Sequence, residues 1–234
     1  MIRCVLPALL AAGCVTNPPV TEDDVIPIFE IQPGPAGERV ADGATALSVE
    51  LCVVDQPGRD PNLTATLRAS AGRWVATDAS DGLSTTVPLT RACEQRKLAP
   101  TTDVGPLTVI ATVAGFSKSA TEALVAARID RVRLGVTGLL SATDASMLTV
   151  TAALDVLSGG AAAPSKGTDV ALQADIEPIG AVGHLADTAL TVTTGNTVTT
   201  TFFATPSVTR VTFRAIARAL NRAPLASDPL AIDR

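Results

Sequence analysis

Tyrosine is absent from this chain of 234 residues, and histidine and tryptophan occur once each. Aromatic residues make up 3% of the total, which argues against the aromatic platforms that sugar-cleaving sites usually have. His184 is the one imidazole, so a Ser/His/Asp triad would have to use it, yet no G-x-S-x-G elbow occurs. An HExxH helix, a Cys/His cluster and an EF-hand loop are also missing. Lys and Arg number 18 against 23 Asp and Glu, a net charge of -5, which is the wrong sign for binding driven by phosphate neutralisation. No apolar segment reaches the ~20 residues that a membrane-spanning helix needs. The sequence therefore reads as non-enzymatic, with no cofactor and no nucleic-acid partner. What is present is 47% apolar residues and only 18% charged ones, a composition that buries a core rather than staying disordered.

The first residues form an address. Arg3 precedes a short apolar stretch from Cys4 to Ala12 that ends in small residues, the layout of a secretory signal. The segment Leu10-Ala11-Ala12-Gly13-Cys14 resembles the lipobox of bacterial lipoproteins. That resemblance implies cleavage before Cys14, a diacylglycerol on its thiol and an acyl group on its new amine. Such chains exceed the two signals that stable anchoring takes. An ordinary secretory cleavage is the alternative, and cysteine parity separates the two. Lipidation of Cys14 leaves Cys52 and Cys93 to pair, whereas the alternative leaves an odd thiol in an oxidising compartment. Val15 after the cysteine, in place of Asp, points by the same resemblance to the outer membrane.

Residues 14–36 read as the lipidated cysteine and a tether. Val15 to Pro35 holds Pro18, Pro19, Pro27, Pro33 and Pro35, the acidic run Glu22-Asp23-Asp24, and no basic residue. Proline fixes φ and favours extended, unpaired backbone. Within this stretch Ile26 to Ile31 alternates enough to form an edge strand, where proline is tolerated.

Beyond residue 40 the dominant period is two. Leu47, Val49, Leu51 and Val53 share one strand face. Similar runs occur at Asn62–Ala69, Leu83–Leu89, Leu107–Val113 and Thr121–Ala127, with turn signals such as Asp55-Gln56-Pro57-Gly58 and Gly105-Pro106 between them. Short, Thr- and Val-rich strands at this spacing indicate an antiparallel β-sandwich. The second half repeats the plan: Asp144–Val150 echoes Asp42–Val49, and Ser207–Ala219 echoes Pro106–Gly115. The offset is about 101 residues, one immunoglobulin-sized domain. The fold class is thus all-β, with two tandem Ig-like sandwiches at 37–128 and 129–234 after a signal peptide at 1–13 and the tether. No Gly/Pro-rich linker separates them, so a stiff rod is expected. A helix over residues 120–135 is the competing reading, since TEALVAARIDRV contains helix formers.

The first sandwich resembles the bacterial Ig-like repeats of the invasin/intimin type. The residues that carry this are Ala41-Asp42-Gly43 before an alternating strand, Gly72 before Trp74, Asp78–Gly82 before a Thr-rich strand, and Leu107–Ala127. The second departs from the pattern, with Ala145 after Asp144 and no usual turn signals over Ala161–His184. The resemblance implies extracytoplasmic modules that act as spacers or present binding surfaces, and it carries no catalytic residue.

Cys52 lies on a strand but out of phase with its buried face, and Cys93 falls in Arg91–Val104, a segment longer than a hairpin connection. A Cys52–Cys93 disulfide at the outer face or edge of the sheet is expected, pinning this loop. Asp78 to Gly82 offers carboxylates to Ca²⁺ but reads chiefly as a turn, and no metal site is assigned. Asn62-Leu63-Thr64 matches a glycosylation sequon, read here as incidental. Trp74 is read as a core plug, with an exposed binding hot spot as the alternative, and His184 as a surface residue. The function expected is a lipid-anchored envelope protein whose Ig-like domains serve as a surface-exposed adhesion or spacer module for a protein or glycan. The alternative is a periplasm-facing lipoprotein that serves envelope assembly. The ligand-binding residues are left unassigned.

Overall fold

A computed structural model describes residues 25–31, 38–53, 62–76, 79, 81–157 and 162–234. The signal peptide, Cys14 and most of the tether lie outside these residues. Among the described residues every regular element is a strand. In chain order the first half holds β1 (Val25–Ile31), β2 (Val40–Ala41), β3 (Leu47–Val53), β4 (Thr64–Ala69), β5 (Arg73–Trp74), β6 (Ser84–Pro88), β7 (Cys93–Ala99), β8 (Gly105–Val113) and β9 (Phe116–Ala126). The second half holds β10 (Ile129–Thr137), β11 (Ser146–Val156), β12 (Asp169–Glu177), β13 (Gly183–Leu185), β14 (Ala189–Thr191), β15 (Thr197–Ala204), β16 (Arg210–Arg218), β17 (Leu225–Ala226) and β18 (Leu230–Asp233).

The halves share one topology. The sheet β1-β3-β7-β5 has its counterpart in β10-β11-β15-β13, and β9-β8-β4-β6 in β17-β16-β12-β14. Each neighbouring pair in these four runs is antiparallel, while the short β2 pairs with β9 in parallel. Each pair of sheets encloses its own core. The first contains Leu47, Val49, Leu51 and Val53 with Leu67, Trp74, Leu107 and Val109. The second is built on Leu148, Val150, Leu154, Leu172, Phe202, Val211 and Phe213. The period-two reading holds strand by strand. In β4 it buries Ala65, Leu67 and Ala69, and in β11 every second residue from Ser146 to Val156, because successive side chains leave a pleated strand on opposite faces.

Three expectations are settled here. Residues 120–135 are strand rather than helix, since β9 runs to Ala126 and β10 starts at Ile129. Trp74 is a core plug: its side chain is 1% exposed, and its indole N–H donates to the Leu83 carbonyl at 2.9 Å. β1, inside the segment read as tether, pairs along its whole length with β3 as an edge strand, Pro27 opposite Leu51.

One expectation is corrected. Arg91–Val104 is not simply a long loop, because Cys93–Ala99 forms β7 between β3 and β5. Its sequence, CEQRKLA, carries no apolar alternation, and Leu98 is its one fully buried side chain. A strand whose faces are mostly half-covered leaves no period-two signal in hydrophobicity. Its place is held instead by backbone pairing to β3 and by the disulfide.

Candidate functional site

Cys52 and Cys93 face each other directly across β3 and β7, and their Sγ atoms are bonded. The expected pair is therefore present on the outer side of the sheet, with Cys52 half-buried and Cys93 exposed. It ties strand to strand rather than strand to loop. The Glu50 carboxylate lies beside the two sulfurs, all within 4.8 Å of one another. A thiolate metal site would need both sulfurs free, so in the oxidised protein this cluster is a cross-link.

Two other acidic side chains hold loops. The Asp81 carboxylate accepts a hydrogen bond from the Leu83 N–H at 2.9 Å, the action of a turn residue. Asp78 and Ser80, its partners in the calcium reading, lie outside the described residues. Buried Asp42 accepts from the Ala44 and Thr45 N–H groups at 2.9 and 2.8 Å, which fixes the loop entering β3.

The joint between the sandwiches is a polar clamp that no motif announced. Buried Ser165 donates its hydroxyl to the Ala41 carbonyl at 2.6 Å and accepts from the Ala127 N–H at 2.9 Å. The Ala163 N–H donates to Asp42 O at 2.9 Å, and the Lys166 N–H donates to Thr102 O at 3.0 Å. Lys166 also pairs with Asp103 at 2.9 Å. From the opposite side, the Arg222 guanidinium donates from Nε and Nη2 to the Ala126 carbonyl at 3.0 and 2.8 Å. It simultaneously grips Glu38 through both carboxylate oxygens, at 3.0 and 2.6 Å. A planar fork suits such two-point recognition.

The hydrogen bond from Arg222 holds the Glu38 carboxyl below its ordinary range, and Glu38 in turn raises Arg222. Lys166, then Thr101, lowers Asp103 in the same way. A carboxyl depressed in the folded state contributes at and above its unfolded pKa, and that contribution is lost as pH falls through the folded value. Acidification through that range is therefore expected to release Arg222 from Glu38. Arg222→Ala is expected to widen the distribution of distances between spin labels on the two sandwiches at neutral pH, whereas an unchanged distribution would assign the joint's stiffness to Ser165, the Lys166–Asp103 pair and the backbone bonds.

At the end of the second sandwich away from the joint, apolar side chains face solvent. Leu139 is 84% exposed, Met147 66% and Val182 62%, with Ile179 fully exposed. Met147, Phe203 and His184 stand opposite one another on β11, β15 and β13. The His184 ring stacks on Phe203 at 5.2 Å between centroids. Surface placement of His184 was legible in the sequence, but this row was not, since its members come from three distant segments. Beside the row, a groove of about 810 Å³ runs between β12 and β13, lined by Gln173, Ala174, Asp175, Ile176, His184 and Leu185 among others. Clefts of ~300–1,000 Å³ are the usual size for bound ligands.

No protein-family model matches the chain, and no curated protein sequence matches it. Solved structures do. Invasin, described as a bacterial integrin-binding protein, is 17% identical with a TM-score of 0.58, over 87% of this chain and 38% of that one. The adhesin InvE of Yersinia pseudotuberculosis is 14% identical with a TM-score of 0.47, over 91% and 60%. A glycosyl hydrolase family 2 member from Bacteroides cellulosilyticus is 11% identical with a TM-score of 0.32, over 87% and 24%. The chain thus spans less than two thirds of the length of each of these structures. At this identity the invasin match establishes a fold: this chain is all-β and shares the Ig-like sandwich architecture of invasin-type adhesin domains.

Proposed function

We propose that the protein is a lipid-anchored cell-envelope protein, held in the membrane by Cys14, whose two Ig-like sandwiches act as a surface-exposed adhesion or spacer module. The observation that carries this reading is the joint. Ser165, Lys166 and Arg222 bind the second sandwich to the end of the first, so an anchor at the N-terminus would hold the exposed Leu139–Met147–Ile179 end far from the bilayer. The adhesin architecture of invasin supports the same reading, as does the lipobox-like Leu10–Cys14 segment. The one histidine, His184, stacks its ring on Phe203.

The test has two stages. Mass spectrometry of the exported protein is expected to find acyl chains on an N-terminal Cys14, and Cys14→Ala is expected to move the protein from the membrane to the soluble fraction. Protease treatment of intact cells is then expected to remove the sandwiches. Digestion only after the outer membrane is permeabilised would sink the surface reading and favour an envelope-assembly role on the periplasmic side.

A further inference from the structure

We propose that the outer edge of β12, from Gln173 to Glu177, is a strand-addition site that takes an extended segment of a partner protein in which apolar residues alternate with lysine or arginine. This rests on the reading of the protein as a binding module and names the surface and the ligand class.

The two sandwiches supply an internal comparison. In the first, β6 pairs with β4 from Thr64 to Arg68 and covers almost all of its outer edge. In the second, the counterpart β14 pairs with β12 only from Asp169 to Ala171, although β12 runs on to Glu177. Among the described residues no strand pairs with the outer edge beyond that point. The Leu172 N–H donates outward, to the Thr188 carbonyl at 2.8 Å. The alternation of an antiparallel ladder therefore sends the N–H and C=O groups of Ala174 and Ile176 outward as well, away from β16. Five residues, Gln173 to Glu177, offer about 17 Å of template, and the groove between β12 and β13 opens along it. β13 is itself an edge strand, pairing among the described residues with β15 alone.

The side chains on the two faces of β12 define what fits. Ala174 and Ile176 point toward the core but are only partly covered: β13 of the other sheet lies against Ile176, and among the described residues no strand is hydrogen-bonded beside them. An incoming strand with apolar residues at these positions would complete the core. On the solvent face, Gln173, Asp175 and Glu177 are exposed. Next to them on β16 stands a row of arginines, Arg210, Arg214 and Arg218, and Arg214 reaches Asp175 at 2.8 Å. The order across the sheet is thus a basic row, then an acidic row, then an open edge. A second basic row continues the alternation, since opposite charges on neighbouring strands attract and like charges repel. Main-chain pairing gives such a ligand its affinity, and the alternating side chains give it specificity.

The test is calorimetric titration of the purified full chain with a synthetic peptide of about seven residues that alternates lysine and valine. Saturable binding is expected. It is expected to vanish when alternate peptide amides are N-methylated, which keeps the charge but removes the ladder, and when glutamate replaces lysine. Ala174→Pro removes an outward N–H without touching the ladder to β16 and is expected to weaken binding at least about tenfold. Asp175→Asn with Glu177→Gln is expected to weaken it by up to about fivefold per carboxylate, and this exposed pair keeps the test decisive if the proline variant does not fold. Equal binding of the N-methylated peptide, or no saturable binding of the parent, would overturn the proposal. A concentration-dependent dimer that Ala174→Pro abolishes would overturn it too, assigning the edge to a second copy of this chain. None of these results depends on Cys14 acylation or on which side of the membrane the sandwiches face.

Discussion

Phe213→Ala is expected to destabilise the second sandwich by about 3–5 kcal/mol and to leave the first standing. Phe213 is fully buried on β16 and meets Phe202 edge-to-face, ring centroids 5.2 Å apart and planes at 85°. Removing the ring loses its transfer free energy, leaves a cavity in the core, and ends a favourable aromatic pair. Both rings belong to the second core and neither touches the first. Trp74 belongs to the first core alone, so its fluorescence reports that half. Calorimetry should show one transition falling by more than about 10 °C while the Trp74 midpoint stays in place. An equal fall in the Trp74 midpoint would mean that the joint couples the halves into one cooperative unit.

Replacing both Cys52 and Cys93 with serine is expected to do the converse. The bond closes a loop with a sequence separation of 41, and the chain-entropy account puts its contribution at about 4 kcal/mol. The loss falls on the first sandwich because β7 lies between β3 and the Trp74 strand, β5. Trp74 fluorescence should therefore report a lower denaturant midpoint, and the transition of the Phe202–Phe213 core should not move. A loss under about 1 kcal/mol would show that the β3–β7 ladder holds this loop without the bond. β7 depends on the cross-link more than its neighbours do, since Leu98 alone anchors it fully in the core.

Much of this architecture was legible along the chain. Alternation in Leu47–Val53 and Leu107–Val113 places β3 and β8, because burial of one face writes period two into the residues themselves. The Cys52–Cys93 pair followed from cysteine count and phase. The echo of the first half in the second anticipated a repeated strand order. β7 was hidden for the opposite reason: CEQRKLA is placed by hydrogen bonds to β3, and backbone pairing leaves no trace in side-chain chemistry.

The sequence by itself therefore determined the class of fold, the repeat, the cross-link and the sparing use of catalytic side chains, all of which are properties of local pattern and composition. Only the tertiary structure decided where the surfaces are. The clamp unites Ser165 with Ala41 and Arg222 with Glu38 and Ala126. The open edge exists because β14 stops pairing with β12 at Ala171. Both depend on contacts between segments far apart in the chain, and the residues involved are ordinary serine, arginine, alanine and glutamate. Their function comes from what lies opposite them, which one-dimensional pattern does not record.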